Sequence, residues 1–193
     1  MAPTTIFRAK LLVWLPPLLM AGCCANNVCD CVGEAQQDAV KLVFKPGSFP
    51  NDTSGFTSAD IDTLVLQRYP KINKNNARPD VVTLVRVAPQ PGDAITLNNT
   101  SPFAQQGTTK LNGYSYRVRF LHHDPGRRNN AALALTIDSV QLRGSLEGNG
   151  CCTCYTNSYK AIYVRALKDT AKTVADSLVL VELPRHSAYV IPR

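Results

Sequence analysis

Short stretches in which apolar and polar residues alternate recur along the chain from residue 38 to the C-terminus. Residues 38–44 place Val40, Leu42 and Phe44 on one side, and residues 114–121 alternate in the same way. A period of two is typical of a strand with one buried face. Further runs rich in β-branched and aliphatic residues predict strands over 61–69, 81–87, 94–97, 133–142, 159–167, 177–183 and 188–191.

Turn residues separate these runs, as in Lys45-Pro46-Gly47 and Asp124-Pro125-Gly126. Only residues 168–176 contain apolar residues at helical spacing, enough for one helical turn. Short strands with regular turn signals and without long helices predict an all-β fold. We expect a single Ig-like or transthyretin-like antiparallel β-sandwich of about seven or eight strands. A small barrel is the alternative.

The N-terminus has a different pattern. Residues 11–21 form an unbroken apolar run, preceded by Arg8 and Lys10 without any acidic residue. This arrangement is typical of an export signal. The run is shorter than the roughly 17–25 residues that a membrane-spanning helix needs, and Pro16 and Pro17 would disrupt such a helix. We therefore predict a cleaved signal peptide.

Small residues followed by a cysteine, Ala21-Gly22-Cys23, end the apolar run. This sequence resembles the lipobox of bacterial lipoproteins, although Met20 stands where that family usually has leucine. The resemblance implies cleavage before Cys23 and lipidation of its sulfur. It also implies a signal peptide over residues 1–22, a lipidated tether with a cysteine cluster over 23–36, and a sandwich domain over 37–193. An ordinary secretory signal, with Cys23 incidental, is the alternative.

Two internal segments carry a second resemblance. Residues 60–69 (DIDTLVLQRY) and residues 144–157, which contain CCTCYTN, resemble envelope lipoproteins of Gram-negative bacteria that have no assigned activity. The resemblance implies attachment to a membrane through the N-terminal lipid, most simply at the outer membrane. It also suggests a protein partner in the cell envelope.

Seven cysteines form two clusters. If Cys23 carries lipid, three cysteines remain in each cluster, and outside the cytosol such thiols are expected to oxidise. Neighbouring Cys151 and Cys152 have Cα atoms about 3.8 Å apart, which is too close for the usual disulfide. Pairing between the clusters is therefore favoured, with bridges that close loops of about 120 residues. The six candidates are Cys24, Cys29, Cys31, Cys151, Cys152 and Cys154.

A metal or redox site is the competing interpretation of these cysteines. Thiolates from both clusters, with imidazoles from His122 and His123, could coordinate a metal. Neither cluster has the paired spacing of structural zinc sites, however. The Cys151-x-x-Cys154 spacing stands among turn residues without the βαβ pattern of thioredoxin-like proteins. Disulfides are favoured over a metal site and over free or partner-linked thiols, and His122 and His123 are weak candidates for metal ligands.

Composition and charge exclude several function classes. The net charge is +7, but the basic residues are scattered and only Arg127 and Arg128 are adjacent. A nucleic-acid-binding protein would gather them into a patch, so we expect no nucleic-acid partner. The sequence contains no nucleophile elbow of a serine hydrolase and only three glutamates. Asp138, within a β-rich run, could point inward, but an edge or solvent-facing position is favoured. We expect no enzyme activity, no catalytic residues and no cofactor.

Two function classes remain. The first is a structural or protein-interaction module held at the membrane surface. The second is a surface module that binds a small ligand, a glycan or a metal. Tyr155, Tyr159 and Tyr163 could stack against a sugar, but Tyr159 and Tyr163 fall on one face of a predicted strand, where cross-strand packing accounts for them equally well. The first class is favoured.

Overall fold

The computed structural model describes residues 28–47, 54–72, 78–122, 130–166, 178–184 and 187–193. Within these ranges the fold is all-β, with one short helix, α1 (Glu34–Gln37), and a 3₁₀ turn at Leu111–Gly113. The described helices include none of the length and apolarity that crossing a bilayer requires. The strands are β1 (Val40–Phe44), β2 (Thr63–Pro70), β3 (Asp80–Val85), β4 (Ile95–Leu97), β5 (Tyr114–His122), β6 (Asn130–Asn149), β7 (Cys152–Ala166), β8 (Val179–Glu182) and β9 (Ala188–Ile191).

These strands form two sheets that pack together as a sandwich. One sheet has the order β4-β1-β9 and the other has the order β3-β2-β5-β6-β7-β8. The predicted all-β sandwich is confirmed. The described strands belong to two separate sheets and not to one closed sheet, so the alternative of a small barrel is not observed.

Period-two alternation produces the core. In β1, Val40, Leu42 and Phe44 are buried, while the two residues between them are half-buried. Each strand turns one set of side chains toward the opposite sheet, so the facing sets meet in a single apolar cluster. The six-stranded sheet contributes Leu64, Leu66, Tyr116, Val118, Leu135, Ile137, Ile162 and Val164, and the three-stranded sheet adds Ile95, Leu97 and Ile191.

One ion pair reaches into this core. Arg68 on β2 is buried, and its guanidinium donates to Asp80 on β3 at 2.7 Å and to the Ala104 carbonyl at 3.0 Å. The guanidinium also lies over the rings of Tyr114 and Phe103, at 4.3 and 4.8 Å from their centroids. These contacts offset the desolvation of a buried cation.

The structure differs from the prediction in two details of the sandwich. Strands β1 and β9 pair in parallel, with Leu42 opposite Tyr189, whereas an antiparallel sheet was expected. The described strands number nine, because every predicted run forms a separate strand. The more specific likeness to immunoglobulin or transthyretin sandwiches stays a prediction. The helical turn predicted over 168–176 lies outside the described residues.

Candidate functional site

A long hairpin formed by β6 and β7 extends beyond the sandwich. Its outer part, residues 144–157, is called the distal hairpin here. Residues 143–148 of β6 are all exposed, so this part of the strand contributes to neither face of the core. Asn149 pairs with Cys152 across a two-residue loop. Gly150 in that loop has a φ of 61°, a left-handed conformation that glycine adopts without a steric penalty.

Two disulfides join the N-terminal segment to the distal hairpin. Cys29 bonds Cys152 and Cys31 bonds Cys154, with Cα–Cα distances of 5.5 and 5.4 Å. Both distances lie within the usual disulfide range. Cys151 is disulfide-bonded as well. Pairing between the clusters, predicted from the sequence, is therefore confirmed for these two bridges.

The position of the second cysteine cluster was predicted wrongly. Cys152 and Cys154 lie in strand β7 and not among turn residues. Their spacing of two puts both side chains on one side of the strand, toward the N-terminal segment. The prediction missed this half of the strand because the distal hairpin has no apolar face. Both of its strands are stabilised by their mutual ladder and by the disulfides.

A buried carboxylate lies beside this junction. Asp38 directly follows α1 and is 2% exposed. Its Oδ1 accepts hydrogen bonds from the Tyr155 hydroxyl at 2.9 Å and from the Asn157 side-chain amide at 2.7 Å. Burial and, to a smaller extent, the hydrogen bond to Asp38 raise the pKa of Tyr155 to about 12. Charge-assisted hydrogen bonds of this kind are stronger than neutral ones, so Asp38 fixes the start of the sandwich on β7.

Lys160, further along β7, also binds the segment that follows α1. Its ammonium donates to the Ala39 carbonyl at 2.6 Å. Burial, followed by the nearby positive charge of Lys41, lowers the pKa of Lys160, while Asp38 acts in the opposite direction. A cavity of about 230 Å³ lies between Lys160, Lys41 and the helix residues Gln36 and Gln37.

Lys160 also lines a second cavity, of about 380 Å³. Asn157, Tyr159 and Glu182 line it, together with the start of the segment that follows β8. Lys160 is the residue that the two cavities share.

The tyrosines predicted as a sugar platform have separate surroundings. Tyr155 packs over Gly144 and binds Asp38. The hydroxyl of Tyr159 donates to Glu182 at 3.4 Å, and the hydroxyl of Tyr163 accepts from Gln141 at 3.5 Å. The three rings therefore do not form a single stacking surface among the described contacts.

The predicted histidine and lipidation residues fall largely outside the described ranges. His122 ends β5, while His123, Cys23 and Cys24 lie outside the described residues. Where the structure is described, no group of three or more histidine, cysteine or acidic side chains is placed to hold a metal ion. The sulfurs of Cys29 and Cys31 are bound in disulfides, so they are not available as thiolate ligands in this form.

Sequence reasoning missed Asp38, Asn157 and Lys160. Asp138, considered as a candidate for an inward position, is half-buried and lies where the β6–β7 register shifts between Ile137 and Ser139. Asp38 carries no comparable signal, because its partners lie more than a hundred positions away in the chain. Only the disulfide hypothesis brought these regions together.

Comparisons of the chain with models of protein families, with curated proteins and with solved structures give no match.

Proposed function

We propose that this chain is a lipid-anchored protein of the cell envelope and that its β-sandwich is a structural or protein-interaction module. The observation that carries the proposal is the covalent attachment of the N-terminal segment to the distal hairpin through Cys29–Cys152 and Cys31–Cys154. A lipid on Cys23 would be only six residues from Cys29. Those residues span about 20 Å at full extension, so the distal hairpin would be held close to the bilayer.

The number and pairing of the cysteines support the same proposal. Cys151 is disulfide-bonded. Two further bridges, Cys29–Cys152 and Cys31–Cys154, account for four more cysteines. If Cys23 carries the lipid, as the lipobox resemblance implies, Cys24 is the cysteine that remains to pair with Cys151. A single acyl chain binds membranes weakly, whereas two or more hold a protein firmly. Firm anchoring thus needs the acylated N-terminal cysteine that the lipobox predicts.

Exposed apolar residues near the proposed anchor agree with this orientation. Val28, directly before the first disulfide, is 95% exposed, and Leu146 on the distal hairpin is 70% exposed. Isolated apolar side chains on a surface are common. At the end of the molecule that faces the bilayer, however, they can enter the interfacial region at little cost.

The partner-binding role rests on strand β3. This strand is an edge of the six-stranded sheet, and among the described strands it pairs only with β2. Val81 and Val85 on its outer face are 54% and 77% exposed, and Val87 just beyond it is 96% exposed. Edge strands are commonly protected by lysine, proline or a bulge, and β3 contains none of these. We infer that an extended segment of an envelope protein adds to this edge.

The anchor is tested by the intact mass of the protein purified from its host membranes. We expect the mass of residues 23–193 plus acyl chains, and a gain of two hydrogens for each disulfide on reduction. The Cys23→Ala variant should lose the acyl chains, whereas Cys24→Ala should keep them. An unlipidated wild-type protein that is cleaved at another position would contradict the anchor.

The partner-binding edge is tested separately by crosslinking in the envelope, with a photoreactive residue in place of Thr83. We expect one discrete adduct that is lost when Val85→Lys is added and kept when Val179→Lys is added on β8, the opposite edge of the sheet. An adduct with the mass of two copies would identify a second copy of the chain as the occupant. No adduct, or equal adducts from β3 and β8, would contradict the proposed role of β3.

A further inference from the structure

The strongest unassigned feature is the pair of lysines at the smaller cavity. Lys160 on β7 and Lys41 on β1 belong to different sheets, and both line the cavity of about 230 Å³. The remaining polar lining comes from Gln36 and Gln37 of α1 and from Ser187, just before β9. Three separate parts of the chain therefore converge on one small space with two cations.

Neither lysine has a carboxylate partner in the described part of the chain. The ammonium of Lys160 donates to the Ala39 carbonyl, and Lys41 makes no hydrogen bond or ion pair with the described residues. Asp38, the acid that acts electrostatically on Lys160, already accepts from Tyr155 and Asn157. A half-buried cation without a counterion is costly, and two such cations facing one cavity repel each other.

The pKa of Lys160 reflects this situation. Burial lowers its pKa, Lys41 lowers it further, and Asp38 opposes both effects without compensating them. An anion in the cavity would replace the missing counterion for both lysines. Protonated Lys160 has three N–H donors, so it can keep its bond to Ala39 and still donate to a ligand.

We propose that this cavity binds a small organic carboxylate, held between the ammonium groups of Lys160 and Lys41 and the side-chain amides of Gln36 and Gln37. The volume of about 230 Å³ is below the roughly 300–1,000 Å³ that is typical of drug-sized ligands, so the ligand must be a small molecule. The Ser187 hydroxyl already donates to the Pro184 carbonyl at 3.2 Å. It can therefore only accept from the ligand, which favours a hydroxy acid.

This inference goes beyond the anchoring and partner-binding roles and does not depend on either of them. It needs only the seating of α1 and β1 against β7, which the contacts of Asp38 with Tyr155 and Asn157 provide. A ligand that bridges Lys41 and Lys160 would connect the two sheets at this point. Binding should therefore also stabilise the fold, because only the folded state brings the two lysines together.

The experiment titrates the folded, disulfide-bonded mature chain with sodium lactate. NMR of the backbone and side-chain amide groups monitors binding. Sodium chloride at equal ionic strength is the reference. We expect saturable shifts at the side-chain amides of Gln36 and Gln37. The affinity should fall at least about tenfold in Lys160→Met and in Lys41→Met, and stay unchanged in Lys71→Met, which removes the same charge outside the cavity.

Lys41→Met keeps the proposal testable if Lys160→Met fails to fold, because the Lys41 side chain makes no hydrogen bond or ion pair with the described residues. Unchanged lactate binding in Lys41→Met would overturn the inference. Shifts that sodium chloride reproduces would also overturn it, as would binding of inorganic phosphate without binding of lactate. Tighter binding of lactate than of propionate, which lacks the hydroxyl, would support the role assigned to Ser187.

Discussion

The side-chain amide of Asn157 donates to the buried carboxylate of Asp38 at 2.7 Å, across 119 positions of sequence. The same oxygen accepts from Tyr155, two residues earlier on β7. The two disulfides lie at Cys152 and Cys154, just before these donors on the same strand. The N-terminal segment is thus fixed to one strand by covalent bonds at its start and by a buried polar group at its end.

Replacing Asp38 with alanine should destabilise the fold. The change leaves the buried Asn157 amide and the half-buried Tyr155 hydroxyl without their acceptor, at a cost of about 2–3 kcal/mol. Urea unfolding of the oxidised protein measures this free energy. Asp30→Ala is the control, because Asp30 is exposed and should change stability by less than about 0.5 kcal/mol. Equal effects of the two variants would contradict the role of Asp38.

The two exposed glycines of β6 should respond differently to alanine. A Cβ at Gly144 would overlap the ring and hydroxyl of Tyr155, whereas a Cβ at Gly148 would meet open space. We expect Gly144→Ala to cost about 1–3 kcal/mol, because the Tyr155 ring must move away from Asp38. Gly148→Ala should be neutral or slightly stabilising.

A double-mutant comparison identifies the cause of the Gly144 effect. In a Tyr155→Ala background the obstructing ring is absent, so Gly144→Ala should lose most of its cost. A cost that persists in this background would indicate a backbone requirement at Gly144 and not a contact with Tyr155. Urea unfolding midpoints of the four proteins are sufficient for this test.

The sequence predicts the strands of the sandwich well because the core imposes alternation on them. In β1 and β2, every second residue faces the opposite sheet, and this pattern is visible without a structure. The distal hairpin has no core to face, so the strand at Cys152 was missed. The sites are harder still. Asp38, Asn157 and Lys160 belong to local sequences that contain no motif, and only the register of distant strands makes them neighbours.

The disulfides should contribute to stability in a strongly non-additive way. Cys29–Cys152 and Cys31–Cys154 each close a loop with a sequence separation of 123, and they lie two residues apart on both segments. Once one bridge is formed, the second restricts the unfolded chain very little further. Replacing either pair with serine should therefore cost less than about 1 kcal/mol, whereas reducing all bridges should cost about 4–5 kcal/mol.

Urea unfolding with and without reductant measures both quantities. The two serine double variants serve as controls for each other, since the entropy model predicts the same small loss for both. A loss of several kcal/mol from one pair alone would show that local packing of that bridge matters more than loop closure.

The two Arg–Asp pairs of β3 and its neighbours should differ in strength. Arg68 and Asp80 approach within 2.7 Å with the arginine buried, whereas Arg86 and Asp93 are 3.8 Å apart and the aspartate is well exposed. Arg68→Met should cost about 1–3 kcal/mol, because it leaves the Ala104 carbonyl and Asp80 without the arginine donor and removes the contacts with Tyr114. Arg86→Met should cost less than about 1 kcal/mol.

Double-mutant cycles with Asp80→Asn and Asp93→Asn isolate the pairwise energies. We expect a coupling energy well above that of an exposed pair for Arg68–Asp80, and a value near zero for Arg86–Asp93. Similar coupling energies for the two pairs would mean that the buried position of Arg68 adds nothing to the ion pair.

Stability should fall at alkaline pH because tyrosines are protonated more strongly in the folded state. The pKa of Tyr155 is raised from its ordinary value of 10.0 to about 12, chiefly by burial, and burial also raises the pKa of Tyr116 and Tyr189. Above pH 10 the unfolded chain releases these protons while the folded chain retains them. The free energy of unfolding therefore decreases as pH rises through this range.

Lys160 acts in the opposite direction within a lower window. The pKa of Lys160 is lowered in the folded chain. At pH values between this lowered pKa and the ordinary value of 10.5, the unfolded chain binds more protons than the folded chain. The contribution of Lys160 to stability therefore rises with pH in this window. The tyrosines outnumber this single lysine, and their window extends further. Tyr155→Phe should therefore flatten the decline of the unfolding free energy between about pH 10 and 12. Asp38→Asn should move tyrosinate formation to lower pH, because Asp38 helps to raise the pKa of Tyr155. Unfolding free energies and tyrosinate absorbance across this range measure both effects. A decline of unchanged slope in Tyr155→Phe would assign the alkaline transition to other groups.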